Sequence, residues 1–230
     1  MNIKILHMIE GAKQATGCAV IIDVFRAFTV EAYLMHNNAK KIIPVGNKQI
    51  AYDLKDKDDS LVLIGERHGV ILPGFDYGNS PSQIETIDFT NKTILHTTSA
   101  GTQGIDNAVR AKVILTGSLV NAKAIANYIK QQNFENVSLV CMGLEALEQT
   151  EEDNLCARYI KDLLENNDVS YIDCEIENLK NTSGKKFFDK MQQSVFPQKD
   201  FYLSTEKNKF NFVLKVKKDK NYNYIEKIEL

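Results

Sequence analysis

The chain has 230 residues and a formal net charge of −2; 43% of its residues are hydrophobic and 25% are charged. This length and composition allow one complete hydrophobic core, and we predict a single α/β domain over residues 1–230. Because the chain has no basic excess to neutralise a phosphate backbone, nucleic acid is not an expected partner. No apolar run approaches the ~20 residues of a membrane span, so a membrane is not expected either.

The predicted compartment is the cytoplasm. The N-terminus lacks the basic start and the apolar stretch of a secretory signal. The four cysteines are scattered without a C-x-x-C pair, which favours free thiols in a reducing environment. The four histidines are not spaced as zinc ligands. The cysteines are Cys18, Cys141, Cys156 and Cys174, and the histidines are His7, His36, His68 and His96.

Short apolar runs recur along the chain and predict buried strands at 3–6, 18–22, 42–45, 61–64, 93–96, 113–115 and 137–141. Amphipathic helices are predicted between several of them, for example over 119–129 and 156–163, with Thr150 and Asp153 as a capping box. Strand alternating with helix predicts a three-layer α/β/α fold around a largely parallel, mixed sheet. Two final runs, 210–216 and 222–228, predict a C-terminal strand hairpin at a sheet edge.

Polar residues follow almost every predicted strand, where ligands bind in an open α/β sheet. Two of the chain's four arginines, Arg26 and Arg67, stand at such positions beside carboxylates, and an arginine fork binds phosphate or carboxylate bidentately. The alternative is that each arginine braces a loop. The carboxylates that would converge at one sheet edge are Asp23, Glu66, Asp76 and Asp153. Together they suit a hard cation such as Mg²⁺, although each alone also fits a helix cap or a loop brace.

Small hydroxyl residues and Gly101 open a helix after the strand at 93–96. Backbone N–H groups at such a helix start can receive phosphate oxygens, but N-capping by Ser99 or Thr102 explains the same pattern. For Ser118 capping is the favoured interpretation.

Motifs of P-loop NTPases, dinucleotide enzymes, zincins and α/β-hydrolases are absent. Asp23 at a strand end is typical of haloacid dehalogenase-type phosphatases, but Phe25 stands where those place a second acid.

In combination these segments resemble the 2-phosphosulfolactate phosphatase family. The resemblance rests on residues 20–27, 65–67, 74–81, 101–102, 117–122 and 152–157, and it spans about residues 18–160. It implies a Mg²⁺-dependent phosphatase that converts 2-phospho-3-sulfolactate to 3-sulfolactate and phosphate, a step towards coenzyme M. It also implies a three-layer α/β/α fold and self-association as a dimer. Phe28, His68, Ala100 and Gln103 depart from the family pattern, so the phosphatase class is better supported than the particular substrate.

The resulting hypothesis assigns a role to each candidate residue. Glu66, Asp76 and Asp153 hold the metal, Arg26 and Arg67 hold the anionic groups, and Asp23 activates water or acts as the nucleophile. The predicted substrate-binding residues are Asn79, Ser80, Ser99, Gly101, Thr102, Ser118 and Asn121. Two alternatives stay open: a cysteine hydrolase that uses Cys141, and a non-catalytic protein that binds small anions.

Overall fold

The computed structural model describes residues 1–220 and 222–230, so Asn221 of the predicted hairpin turn lies outside the described residues. The strands are β1 (Asn2–His7), β2 (Gly17–Ile22), β3 (Lys41–Pro44), β4 (Val62–Arg67), β5 (Val70–Ile71), β6 (Thr93–Thr97), β7 (Ala111–Gly117), β8 (Asn136–Cys141), β9 (Phe212–Lys218) and β10 (Asn223–Glu229). The helices are α1 (Met8–Gln14), α2 (Ala27–His36), α3 (Lys48–Lys55), α4 (Pro81–Ile84), α5 (Gly101–Asn107), α6 (Ala122–Gln131), α7 (Glu151–Glu165), α8 (Ile172–Asn178) and α9 (Gln198–Thr205).

One sheet contains all ten of these strands in the order β1-β8-β2-β7-β9-β10-β3-β6-β4-β5. Two parallel blocks, β1-β8-β2-β7 and β3-β6-β4, are joined by the antiparallel pair β9-β10. Alternate residues of β2 face opposite layers: Ala19 and Ile21 lie in one core cluster, and Val20 and Ile22 in another that includes α6 and α7. The prediction of an α/β fold with a largely parallel, mixed sheet and a C-terminal hairpin is confirmed.

The predicted position of that hairpin is wrong, because β9 and β10 lie in the middle of the sheet and not at its edge. β9 pairs with β7 at Leu115 and Thr116, and β10 pairs with β3 at Ile42. Val213 and Leu214 are consecutive and both fully buried, so β9 is covered on both faces. Such burial on both sides is typical of a central strand, and the lysines near the turn do not mark an edge.

The joining hairpin reverses the direction of one block relative to the other. Three antiparallel steps separate β7 from β3, so in a flat sheet β2 and β4 would end at opposite edges. Sheets twist by about 20–25° per strand, and the six steps from β2 to β4 add up to roughly 120–150°. This rotation nearly realigns the two blocks, and the residues that line the cavity show that the carboxyl ends of β2, β4 and β6 meet there.

Two predicted helix features have different outcomes. The apolar face of the helix predicted over 119–129 is confirmed, because Ile125 and Ile129 of α6 are fully buried. Thr150 does precede α7, but its side chain makes no capping hydrogen bond within the described part of the chain. The Asp153 carboxylate instead accepts from the backbone of two other loops.

In the described ranges we find no helix with both the length and the apolar character that crossing a membrane needs.

Candidate active site

A cavity of about 240 Å³ opens where β2, β4 and β6 end. Loops after these strands form most of its wall, the loop after β8 covers one side, and two residues come from the C-terminal segment. The lining residues are Asp23, Phe25, Arg26, Glu66, His68, Gly69, Asn79, Thr98, Ser99, Ala100, Gly143, Leu144, Glu145, Lys186 and Phe196. Five of the residues predicted from sequence are therefore brought together: Asp23, Arg26, Glu66, Asn79 and Ser99.

Asp23 follows β2 directly and is buried. Its Oδ1 accepts a hydrogen bond of 3.1 Å from the Ala27 N–H at the start of α2. The start of α5 packs so closely that a Cβ atom at Gly101 would lie 3.1 Å from Asp23 Oδ2 and 2.9 Å from Phe28. Burial, with the nearby charges of Glu66 and Glu152, raises the pKa of Asp23 to about 7, although the Ala27 hydrogen bond opposes the shift. Asp23 is thus a carboxyl group that titrates near neutral pH, as a general base or acid requires.

Glu66 ties together the loops that follow β4 and β6. Its Oε1 accepts from the Ser99 N–H at 3.0 Å and from the Ser99 hydroxyl at 3.1 Å. Its Oε2 accepts from the Gly69 N–H at 2.6 Å. These hydrogen bonds hold the carboxylate at the cavity wall. Ser99 therefore serves first to fix Glu66.

Arg26 lies between the cavity and a buried counter-ion. Its Nη1 donates to Asp200 Oδ2 at 2.7 Å and to the Val195 carbonyl at 2.8 Å, and Nη2 donates to the Gly69 carbonyl at 3.4 Å. The guanidinium also lies 4.8 Å from the ring centroid of Phe196. These contacts occupy three of the five N–H donors of an arginine. Arg26 thus braces the C-terminal segment against the turn after β4, and it also lines the cavity.

Ser80, another predicted substrate ligand, supports the same counter-ion. Its hydroxyl donates to Asp200 Oδ1 at 2.9 Å, and Ser80 is not among the lining residues. Asp200 is fully buried at the start of α9. Its two oxygens thus connect the loop before α4 with Arg26.

Arg67 and Asp76 lie away from the cavity. Arg67 is the neighbour of Glu66 in a strand, so its side chain points to the other face; it donates to the Gly46 carbonyl at 3.1 Å and to Thr97 Oγ1 at 3.0 Å. Asp76 is exposed, and its Oδ2 accepts from the Leu63 N–H at the start of β4. Glu66 lies three residues further along the same strand, roughly 10 Å from Leu63 and therefore away from the Asp76 carboxylate.

Asp153 is buried behind the cavity wall. Its oxygens accept from the N–H groups of Val24 at 2.9 Å and Gly143 at 2.8 Å, which joins α7 to the loops after β2 and β8. Burial, together with Glu152 and Asp23, raises the pKa of Asp153 well above its usual range. Glu152 beside it is also buried. Both oxygens of Asp153 are used by the fold, and its side chain is not part of the lining.

The other predicted substrate ligands lie outside the lining and contribute to helix starts. Thr102 donates from Oγ1 to the Thr98 carbonyl at 3.2 Å inside α5. Asn121 Oδ1 accepts from the Ser118 N–H at 3.1 Å, which supports the capping interpretation of this pair. Gly101 is required at its position because the helix start packs on Asp23 and Phe28.

The metal site predicted from sequence does not assemble from its three named residues. Within residues 1–220 and 222–230 no group of three or more His, Cys, Asp or Glu side chains is placed to hold a metal ion. The acidic residues that do share the cavity are Asp23, Glu66 and Glu145. Glu145 Oε1 lies 2.5 Å from His68 Nδ1 at the mouth. Asp23 and Glu66 are the pair that suits a hard cation, since Mg²⁺ often takes one or two carboxylates and completes its shell with water and phosphate.

Lys186 is a cavity residue that the sequence analysis missed. Its side chain is largely withdrawn from solvent, and burial lowers the pKa of its ammonium group although Glu152 and Asp23 oppose the shift. It comes from a single helical turn, Lys185–Phe188, in the C-terminal segment. Lysine is the commonest charged residue type in this chain, so nothing in the sequence sets Lys186 apart from Lys185 beside it.

The cysteine-hydrolase alternative finds no support in the geometry. Cys141 is buried at the end of β8, where its thiol donates to the Asp153 carbonyl at 3.4 Å, and it does not line the cavity. Burial, with the charge of Asp153, raises the pKa of the Cys141 thiol well above its usual range. A reactive cysteine needs the opposite shift.

An α/β sheet with a small cavity at its strand ends, lined by three carboxylates and by the basic side chains of Arg26 and Lys186, is typical of an enzyme that acts on a small anion. Comparisons with known proteins agree with this interpretation of the site. A family model described as 2-phosphosulpholactate phosphatase matches residues 4–219, so the chain belongs to this family. Membership places it among the phosphoric monoester hydrolases, and the resemblance inferred from sequence is confirmed.

Three curated relatives are each named probable 2-phosphosulfolactate phosphatase. The protein from Bacillus subtilis is 34% identical over 210 residues, which are 91% of this chain and 91% of that protein. The protein from Carboxydothermus hydrogenoformans is 37% identical over 76% of this chain and 75% of its own length. The protein from Caldicellulosiruptor saccharolyticus is 42% identical over 63% of this chain and 61% of its own length.

Proposed function

We propose that this chain is a Mg²⁺-dependent phosphatase that hydrolyses 2-phospho-3-sulfolactate, or a related small phosphorylated hydroxy acid, to 3-sulfolactate and phosphate. The single observation that carries the proposal is the cavity in which Asp23 and Glu66 lie with Arg26 and Lys186. The relatives' names identify the substrate class. In an organism that makes coenzyme M, this reaction would contribute to its synthesis.

The size and charge of the cavity support a small, multiply charged substrate. Its volume of about 240 Å³ lies below the ~300–1,000 Å³ of pockets that hold drug-sized ligands, which suits a three-carbon acid better than a nucleotide. A phosphate, a carboxylate and a sulfonate need several N–H donors. Lys186 supplies ammonium donors, and Arg26 keeps donors beyond those used by Asp200, Val195 and Gly69.

Asp23 is the proposed reacting group. Since burial raises the pKa of Asp23 to about 7, its carboxylate at neutral pH can accept a proton from water or attack phosphorus itself. The stereochemical course separates these roles. Hydrolysis of an isotopically chiral phosphate ester with inversion at phosphorus supports direct attack by water. Retention supports a phosphorylated Asp23 formed and then hydrolysed.

Mg²⁺ would be held by Asp23 and Glu66, the carboxylates that share the cavity. Bound there, it would neutralise negative charge on the phosphoryl oxygens as the ester bond breaks. The protein's own groups keep separate tasks: Ser99 and Gly69 hold Glu66 at the wall, and Asp200 holds Arg26.

The first test is phosphate release from racemic 2-phospho-3-sulfolactate by the purified chain, with Mg²⁺ and then with EDTA. We expect release that EDTA abolishes and added Mg²⁺ restores. Release unaffected by EDTA would contradict the metal dependence only. No release from folded protein on this or other phosphorylated hydroxy acids, with binding of sulfolactate retained, would favour the non-catalytic anion-binding alternative.

The cytoplasmic location and the dimer belong to the same proposal. The four cysteines are free thiols, three of them buried, which supports a reducing compartment. Light scattering after size exclusion tests the dimer. A mass near 26.0 kDa in solution would contradict it.

A further inference from the structure

A line of four buried polar side chains leads from the cavity into the core. Asn79 lines the cavity, and its Oδ1 lies 3.2 Å from His96 Nε2. His96 Nδ1 lies 3.1 Å from Glu31 Oε1, and the Thr116 hydroxyl donates to Glu31 Oε2 at 3.0 Å. His96, Glu31 and Thr116 are all fully buried. The line thus joins the loop before α4 to β6, α2 and β7.

The partners of His96 determine where its protons are. Asn79 Oδ1 carries no hydrogen, so His96 Nε2 donates to it, and the Glu31 carboxylate accepts from His96 Nδ1. In this arrangement both ring nitrogens of His96 act as hydrogen-bond donors. A carboxylate buried as completely as Glu31 needs a positive partner, and within the described residues His96 is its ion pair.

The contact with His96 determines whether the oxygen or the nitrogen of the Asn79 amide faces the cavity. With Oδ1 held by His96, the amide nitrogen is the arm directed at the ligand. The opposite orientation would present an oxygen and would favour a cation. In a cavity that already contains Asp23 and Glu66, an N–H donor adds to the capacity to hold an anion.

We propose that Glu31 and His96 are positioning residues that fix the Asn79 amide so that its Nδ2 donates to a phosphoryl or carboxylate oxygen of the substrate. The identity of that substrate rests on the proposed function. The orientation of the amide does not. His96 also lies close enough for its charge to lower the pKa of Asp23, against the larger effect of burial.

The proton positions are tested by ¹⁵N NMR of the imidazole rings in the substrate-free protein, with the His96 signals assigned by their loss in His96→Gln. We expect both ring nitrogens of His96 to carry protons in the native chain, as their two hydrogen bonds require. In Glu31→Gln the second proton should be lost. A His96 with an unprotonated Nε2 in the native chain would overturn the inference.

The function of the amide is tested with inorganic phosphate as the probe, by calorimetric titration of Asn79→Ala, Glu31→Gln and the double variant. A lost hydrogen bond to a charged group should weaken phosphate binding by about 10- to 100-fold in each single variant. Because Glu31 acts through Asn79, Glu31→Gln should add less than about twofold in the Asn79→Ala background. A full effect of Glu31→Gln in both backgrounds would show a merely structural role and would contradict the proposal.

Thr116→Val is the matched control for disturbance of the buried line. It removes the other hydrogen bond to Glu31 but leaves the contact with His96. We expect a loss of stability with the doubly protonated His96 signal retained. Kinetics on 2-phospho-3-sulfolactate then give the same double-variant comparison for kcat/KM. If the native chain hydrolyses no ester, the proposed function fails, while the NMR and phosphate-binding results still decide the role of Asn79.

Discussion

The cavity is built from two regions that differ in how they depend on local sequence. The strand-end region, with Asp23, Glu66 and Ser99, follows β2, β4 and β6 and coincides with recognisable short motifs. The C-terminal region, residues 179–205, contributes Lys186, Phe196 and the counter-ion Asp200 without any motif. The comparison teaches that the reacting carboxylates belong to the sheet, whereas Lys186 beside them and the counter-ion of Arg26 come from a distant segment folded over it.

The largest effect is expected in the strand-end region, from Asp23→Asn. If Asp23 is the base or nucleophile, this change should lower kcat by about 10²–10⁴-fold, because an amide can neither take up a proton nor attack phosphorus effectively. The fold should persist, since Asn can still accept the Ala27 hydrogen bond at the start of α2. Steady-state kinetics measures kcat, and thermal unfolding measures the stability of the fold. Undiminished turnover would remove Asp23 from the mechanism.

The C-terminal region should dominate stability. Asp200→Ala leaves the buried guanidinium of Arg26 without its counter-ion, and such a loss costs about 3–5 kcal/mol of unfolding free energy. Urea unfolding measures this loss of unfolding free energy. The neighbouring change Lys199→Ala is the control, because the ion pair of Lys199 with Glu85 is on the surface and contributes less than about 1 kcal/mol. Equal losses in both variants would show that the Arg26–Asp200 pair has no special role.

Lys186→Met tests whether the C-terminal region also contacts the substrate. Removing a charge-assisted hydrogen bond to an anion should lower kcat/KM by about 10- to 100-fold. Lys185→Met is a closely matched control, since Lys185 is the adjacent residue on the same turn but is exposed and does not line the cavity. If both variants keep native kcat/KM, the segment serves only to support the strand-end region.

The smallest expected effect is a shift in pH dependence. With the pKa of Asp23 raised to about 7, kcat/KM should rise as pH increases through neutrality. The same raised pKa makes the folded state bind the proton more tightly than the unfolded state, so stability should fall as pH rises from about 4 to 7. Asp23→Asn should reduce that fall in stability, and the part that remains belongs to Glu152 and Asp153, whose pKa values are also raised by burial.

Glu66→Gln sharpens the pH experiment. Removing the charge of Glu66, one of the causes of the shift, should move the inflection of the stability–pH curve of the metal-free protein to lower pH. Glu145→Gln is the control, because Glu145 lies at the cavity mouth beside His68 and is not among the causes of the shift. An unmoved inflection in Glu66→Gln would assign the titration to another group.

The residues found from sequence and those missed differ for a physical reason. Asp23 and Glu66 end apolar strands, and a polar residue at a strand end is visible in the chain itself. Asp76 and Asp153 have the same local signal but use their oxygens to cap Leu63 and to bridge Val24 and Gly143. Local pattern does not distinguish a carboxylate that faces a ligand from one that satisfies backbone N–H groups.

The sequence by itself determined the alternating α/β architecture, the terminal hairpin and the family, because strand burial, helix periodicity and short motifs are local properties. Only the tertiary structure decided that the hairpin lies between two blocks of opposite direction and that the ends of β2, β4 and β6 meet at one cavity. It also decided which charges meet: Asp200 with Arg26, Lys186 with the acidic cavity, and His96 with Glu31. These pairs join residues up to 174 positions apart, whereas the spacing patterns of helices and strands predict contacts only between residues close in sequence.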